Sequence, residues 1–247
     1  MTGFEKNDLT GFLETIGNKL DRKIEAFLIG GGAMVLRNQK NATKDLDLVF
    51  HNQNDCKEFS RALRSLGFKA KFELELAYEE MKADGIFDDG LGRRIDLFTE
   101  KVCGALKLSR KIIARSQPLE LSGNLSIRVF SNEDVILFKG ITNRTDDLND
   151  IAAIVRASNP NWDTVLDECT QQGKTRDWSC ALYDKFAQIK DSHEIDVPIT
   201  RKLLRMCRKR MVRDAFDGYL KEGKTRAQAL VELKKKGFSK KELEQSL

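Results

Sequence analysis

Apolar residues recur at helical spacing near the start of the chain, at Leu9, Phe12, Leu13, Ile16 and Leu20, which predicts an amphipathic helix over 8–20. Ala26–Ile29 is instead a short unbroken apolar run, the mark of a buried strand. Gly30, Gly31 and Gly32 interrupt it before helical spacing resumes over Ala33–Arg37, so the glycines occupy a strand-to-helix turn. After a polar loop over Asn38–Thr43, Asp45-Leu-Asp-Leu-Val-Phe50 alternates with period two, which places both carboxylates on one face and the leucines on the other. A second amphipathic helix is expected over 55–66, with Asp55 as N-cap and Gly67 as stop. Alternation around Phe72, Leu74 and Leu76 predicts a strand over 69–78, residues 85–92 read as a turn, and Arg94–Phe98 reads as another strand. Strands and helices that take turns in this way predict an α/β (α+β) fold, a mixed sheet flanked by helices.

Residues 119–130 carry a strand pair around Ser122-Gly-Asn124, and 132–157 return to helical spacing. Beyond Pro160 the chain reads as wholly helical and increasingly basic, apart from Pro198. The expected division is a mixed-sheet domain over 1–158 and an all-helical basic domain over 159–247, with no low-complexity tract or internal repeat.

With 247 residues and 40% hydrophobic content the chain can bury a core, which makes disorder the wrong default. The 43 basic and 38 acidic residues leave a net charge of only +5, which permits an anionic partner without demanding one. Cys56, Cys103, Cys169, Cys180 and Cys207 are odd in number and lack CxxC spacing, which argues against a disulfide framework or a zinc site and for a reducing cytoplasm. No run approaches the roughly 18 apolar residues of a membrane span, and the first residues lack the features of a signal peptide, so a cytoplasmic protein with no membrane partner is expected.

Asp45 and Asp47 place two hard oxygen ligands side by side, which suits Mg²⁺ or Mn²⁺ holding substrate phosphates. Such a site gathers a third carboxylate from another strand, and Asp96, flanked by apolar residues in Arg93-Arg-Ile-Asp-Leu-Phe98, is the candidate. Each feature has a plain counterpart: a glycine turn is often only a turn, an Asp-x-Asp is often solvated, and a helical lysine such as Lys139 is by default on the surface. His51 and His193 read as surface histidines. Asp84, Asp88 and Asp89 have calcium-loop composition without EF-hand spacing, which leaves them in a turn.

The glycine turn followed by Thr43-Lys-Asp-Leu-Asp47 resembles the signature of the DNA polymerase β-type nucleotidyltransferase superfamily, with a later acid at Asp96. A second segment, Ser131–Ile151, is similar to the helical element of minimal, toxin-like prokaryotic members, in which a lysine precedes Asp-Leu-x-Asp-Ile. Together the two segments span about residues 25–155. The resemblance implies that Asp45, Asp47 and Asp96 hold Mg²⁺ (or Mn²⁺) and that an NMP passes from an NTP such as ATP to a hydroxyl acceptor. The acceptor oxygen attacks the α-phosphorus and pyrophosphate leaves, while Asp96 accepts the proton. It also implies that Gly30, Gly31 and Gly32 meet the phosphates, that Lys139 and Arg144 neutralise their charge, and that Asp147 and Asp150 tie down the helix. Gly32 stands where related sequences often carry serine, which leaves open the glycine that faces the triphosphate.

Arg201–Arg213 packs seven cations into thirteen residues, interleaved with Leu203, Leu204, Met206, Met211 and Val212, a helix with an apolar seam and a cationic face. The final segment predicts two short helices around Gly237-Phe-Ser239, with Ser239 as N-cap and Phe238 as a residue able to stack on an unpaired base. These basic helices point to RNA as the acceptor, and the resemblance to toxin-like members implies a tRNA 3′ end; protein and small-molecule acceptors stay open. The rival reading is a catalytically silent relative that binds nucleic acid or acts in a toxin–antitoxin pair.

Overall fold

The computed structural model describes residues 3–71, 83–102, 104, 106–142, 144, 146–173 and 178–247. The chain forms two compact units that divide between Asn161 and Trp162. In the first unit, β1 (Phe4–Glu5), α1 (Lys6–Gly17), β2 (Ile24–Ile29), α2 (Gly30–Leu36), β3 (Ala42–Thr43), β4 (Asp45–Phe50) and α3 (Gln53–Ser65) lead to β5 (Lys69–Ala70). Next come β6 (Gly85–Asp88), β7 (Arg94–Thr99), β8 (Lys101–Val102), β9 (Leu106–Lys107), α4 (Arg110–Arg115), β10 (Gln117–Leu119), β11 (Leu125–Val129), α5 (Asn132–Gly140) and α6 (Asp146–Ala157).

Seven strands form one mixed sheet in the order β10-β11-β2-β4-β7-β6-β5. Its centre pairs β2 antiparallel to β4 and β4 parallel to β7. Alternation along β4 decides which way each residue faces. Phe50 meets Phe59 of α3 with ring centroids 5.3 Å apart, so Leu46, Leu48 and Phe50 turn toward the helices and Asp45, Asp47 and Val49 toward the opposite face. On that opposite face Phe27 packs against Phe130, and Phe130 against Phe138 of α5. The α5–α6 segment is thereby held over the side of the sheet that carries the acids.

Three local readings change. Residues 85–88 are a strand rather than part of a turn, because β6 pairs along β7 from Gly85↔Leu97 to Asp88↔Arg94. The turn is confined to the residues that follow, where the Asp88 and Asp89 carboxylates accept backbone N–H groups of Gly90, Leu91 and Arg93. The helix expected from Asp55 starts two residues earlier, since Asn52 is the cap and its side chain accepts the Asp55 N–H at 2.9 Å. Finally, α2 begins at Gly30 itself rather than after the glycines. The strand expected over 69–78 is seen as β5, and its residues from 72 onward lie outside the described part.

In the second unit every regular element among the described residues is a helix: α7 (Trp162–Gln172), α8 (Ser179–His193), α9 (Thr200–Lys221), α10 (Arg226–Lys235) and α11 (Lys240–Ser246). Thr225 and Ser239 each close a capping box, with Gln228 and Glu242 respectively, and each cap contributes about 1 kcal/mol. Cys180 of α8 and Cys207 of α9 form a disulfide, contrary to the expectation from cysteine spacing. Spacing rules see local pairs, whereas these two meet only because α8 and α9 pack side by side, 27 residues apart in sequence. The apolar seam of α9 also differs from expectation: Leu203 and Cys207 are buried in its first half and Val212 and Phe216 in its second, while Met211 is 51% exposed. Val212 and Phe216 share a small core with Ala229, Leu233, Phe238 and Leu243. Phe238 is thus a core residue, with the Arg208 guanidinium 5.2 Å from its ring centroid, and is not available to stack on a base. No described helix is long and apolar enough to cross a membrane.

Candidate active site

The β4–β7 register sets Asp47 directly opposite Asp96 and Asp45 directly opposite Arg94. Adjacent strands lie roughly 4.8 Å apart, so the three acids proposed from the sequence come together on one face of the sheet. Asp96 is fully buried, while Asp45 and Asp47 are partly exposed. The glycines border this corner in different ways. Gly30 has φ +59°, a left-handed conformation, and a Cβ there would lie 2.4 Å from Asp47 Oδ2. A Cβ on Gly31 would meet the Thr43 hydroxyl, which bonds the Asp45 carbonyl at 3.0 Å and fixes the start of β4. A Cβ on Gly32 would instead strike Leu28 and Leu46 in the core. The third glycine is therefore required by packing beneath the turn, and Gly30 is the glycine that faces an acid.

Arg94, which the sequence reading passed over, dominates the electrostatics. Its guanidinium reaches Asp45 Oδ2 at 3.1 Å, and it bonds Asp96 Oδ2 at 3.0 Å. Asp96 Oδ1 lies 2.9 Å from Arg94 Nε but accepts no hydrogen bond, which leaves one buried carboxylate oxygen unsatisfied. Burial, and then the neighbouring charge of Asp47, push the Asp96 carboxyl up to about 7 although Arg94 opposes them. Asp47 is also raised, by burial first and by Asp45, against the pull of Arg144, Lys139 and Arg94. The signal for Arg94 was present in the sequence: an arginine two residues before an acid in a strand must share its face.

Lys139 is buried rather than on the surface. Its ammonium contacts Asp147 Oδ1 at 2.9 Å and Asp150 Oδ2 at 2.6 Å. Lys40 reaches Asp150 at 3.0 Å, the Thr142 hydroxyl donates to Asp147, and Arg144 Nε lies 3.3 Å from Asp147. Burial alone would lower the Lys139 pKa, but the charges of Asp147 and Asp150 outweigh it and hold the ammonium above its ordinary value. Arg144 remains about half exposed, and its charge is the strongest opposing influence on Asp47. His51 pairs with Glu25 at 3.1 Å, beyond the end of β4 remote from Asp45, and His193 closes α8 in the second unit.

Among the described residues no three Asp, Glu, His or Cys side chains are arranged as a metal cage. Asp45 and Asp96 are engaged by Arg94, and the Asp47 carboxylate lies against Gly30. The donor set still fits a hard divalent cation, because it consists of carboxylate oxygens and one of them, Asp96 Oδ1, is buried without a hydrogen bond.

A comparison with curated proteins matched none of them. Residues 7–192 match a family described as a nucleotidyltransferase of unknown function, and this match takes in the glycine turn, all three acids and the Lys139–Asp150 segment. Because the match covers well over half of the sequence, the chain belongs to that nucleotidyltransferase family.

Proposed function

We propose that the protein transfers an NMP from an NTP to a hydroxyl acceptor, with Asp45, Asp47 and Asp96 holding Mg²⁺ or Mn²⁺. The observation that carries this reading is the register that sets Asp47 against Asp96, beside Asp45 and below Gly30, in a chain of nucleotidyltransferase type. When bound, the divalent ion supplies positive charge against the triphosphate and makes the acceptor hydroxyl more acidic. Asp96 is the carboxyl suited to take the acceptor's proton as the bond to the α-phosphorus forms and pyrophosphate departs. Arg144 lends its half-exposed charge to the phosphates. Lys139 acts through Asp147 and Asp150, fixing the start of the helix that Arg144 precedes. Gly30 and Gly31 keep the border of the site at backbone level, where a phosphate can approach.

For the acceptor we retain RNA, such as a tRNA 3′ end, bound by the basic helices. Residues 200–247 lie beyond the family match and carry 15 Lys and Arg against six Asp and Glu. Arg201, Arg205 and Lys209 are exposed at i, i+4 and i+8 on α9, a cationic stripe of helical spacing. Aromatic rings in this region are covered, Phe216 by Arg226 and Tyr219 by Lys224 and Lys236, as Phe238 is by Arg208. The contact we propose is thus with phosphates rather than by stacking on bases, and it gives a salt-dependent affinity of low sequence preference.

The test incubates the protein with each labelled NTP, Mg²⁺ or Mn²⁺, and total RNA. Transfer of label is expected and is expected to vanish in Asp45→Ala/Asp47→Ala; label that survives the double substitution removes the assigned site. RNA binding with no transfer to any acceptor favours the silent, nucleic-acid-binding reading, which the engagement of Asp45 and Asp96 by Arg94 also suits.

A further inference from the structure

Three carboxylates share the acid corner, and one of them is fully buried, so their repulsion is poorly screened. Arg94 answers it from within the same pair of strands. It stands across the register from Asp45 and two residues before Asp96, and its side chain is only 13% exposed. Its guanidinium reaches Asp45 at 3.1 Å and Asp96 at 3.0 Å, through carboxylate oxygens that a hard cation would use. The fit is incomplete, since Asp96 Oδ1 lies 2.9 Å from Arg94 Nε and still accepts no hydrogen bond.

Resting on the metal reading above, we infer that Arg94 is a resident counter-cation, which a divalent ion must displace from Asp45 and Asp96 to load the corner. Arg94 then has two roles. Without metal it holds β4 and β7 together across their like charges. During loading it competes for the same oxygens, so weakly bound cations are rejected and only a strong oxygen-seeking ion displaces it. Lys139 offers a contrast: Asp147 and Asp150 enclose it and Thr142 satisfies a further oxygen of Asp147. The released guanidinium stays tethered two residues from Asp96, within the same corner as the incoming phosphates.

The experiment measures Mn²⁺ binding by electron paramagnetic resonance, together with thermal melting in EDTA and in Mn²⁺, for the wild-type protein, Arg94→Gln and Arg94→Lys. Loss of a competing charge at contact distance should tighten Mn²⁺ binding by about tenfold or more in Arg94→Gln. The same variant should melt lower in EDTA and gain more from Mn²⁺ than wild type, with Arg94→Lys between them. Wild type that binds Mn²⁺ while Arg94→Gln binds it no tighter overturns this inference alone. Absence of Mn²⁺ binding in both overturns the metal reading with it. If Arg94→Gln does not fold, the wild-type protein decides: the Arg94 Nε–H resonance, assigned with Arg94→Lys, should move as Mg²⁺ is added. A resonance that stays fixed at Mg²⁺ saturation overturns the displacement.

Discussion

The acid corner of β4 and β7 and the Lys139 cluster of α5 and α6 both set carboxylates, some of them buried, beside basic side chains, yet they resolve their charges in opposite ways. Around Lys139, two acids meet Lys40, Lys139 and Arg144, with Thr142 donating as well. Burial alone would raise the Asp147 carboxyl, but the charges of Lys139 and Arg144 overcome it and hold Asp147 below its ordinary value. At the corner, three acids have Arg94 between two of them, and Asp47 and Asp96 are both raised. A matched cluster fastens helices, and its groups are spent on one another. A mismatched one keeps acceptor capacity in reserve, which is what the proposed cation would use.

Substituting the most deeply buried acid separates the two clusters most strongly. Asp96→Asn should cut label transfer by on the order of 10³-fold, because the role proposed for it is worth several kcal/mol in the transition state. It should not lower the melting temperature in EDTA, since a like charge is removed; a rate within tenfold of wild type would take Asp96 out of the reaction. Lys139→Met should do the reverse and destabilise the fold by roughly 3–5 kcal/mol in urea unfolding, by leaving Asp147 and Asp150 buried without their ammonium. A loss below about 1 kcal/mol would erase the contrast.

Smaller effects sharpen it further. Gly30→Ala carries the left-handed penalty of roughly 1–2 kcal/mol and also drives Asp47 aside, so it should lower both stability and transfer. Gly67→Ala, at φ +88° with open space around it, should lose stability alone. The pH dependence of urea unfolding is the finest probe. Since Asp147 is lowered in the fold, its contribution is complete above the ordinary 3.8 and is lost as pH falls below that, through the lower folded value. Lys139, raised in the fold, contributes fully below 10.5 and loses its share as pH rises past its folded value. In Lys139→Met the acid-side loss should flatten, because Asp147 is no longer held low.

Much of this was legible in the sequence, because period-two alternation fixed the face shared by Asp45 and Asp47 and the apolar flanks of Asp96 named the neighbouring strand. Arg94 was legible too, from its spacing to Asp96, but its meaning required the register that puts it against Asp45. Strand β6 escaped because Gly-Ile-Phe-Asp carries only two apolar residues beside turn formers, and its identity comes from pairing with β7. Asn52 and Asp55 are both good caps, and only geometry chooses between them. The Cys180–Cys207 bond and the burial of Phe238 depend on how helices meet, which no local pattern records.

Helix α9 offers one last consequence. Its first half gives Leu203 and Cys207 to the side bonded to α8, and its second half gives Val212 and Phe216 to the core shared with α10 and α11. A shortened chain that stops after Lys221 would therefore not be a neutral trimming. It would strip the cover from Val212 and Phe216 and leave a sticky helix end prone to self-association, so the acceptor-binding role proposed for the tail is better dissected by exchanging surface cations than by deleting residues.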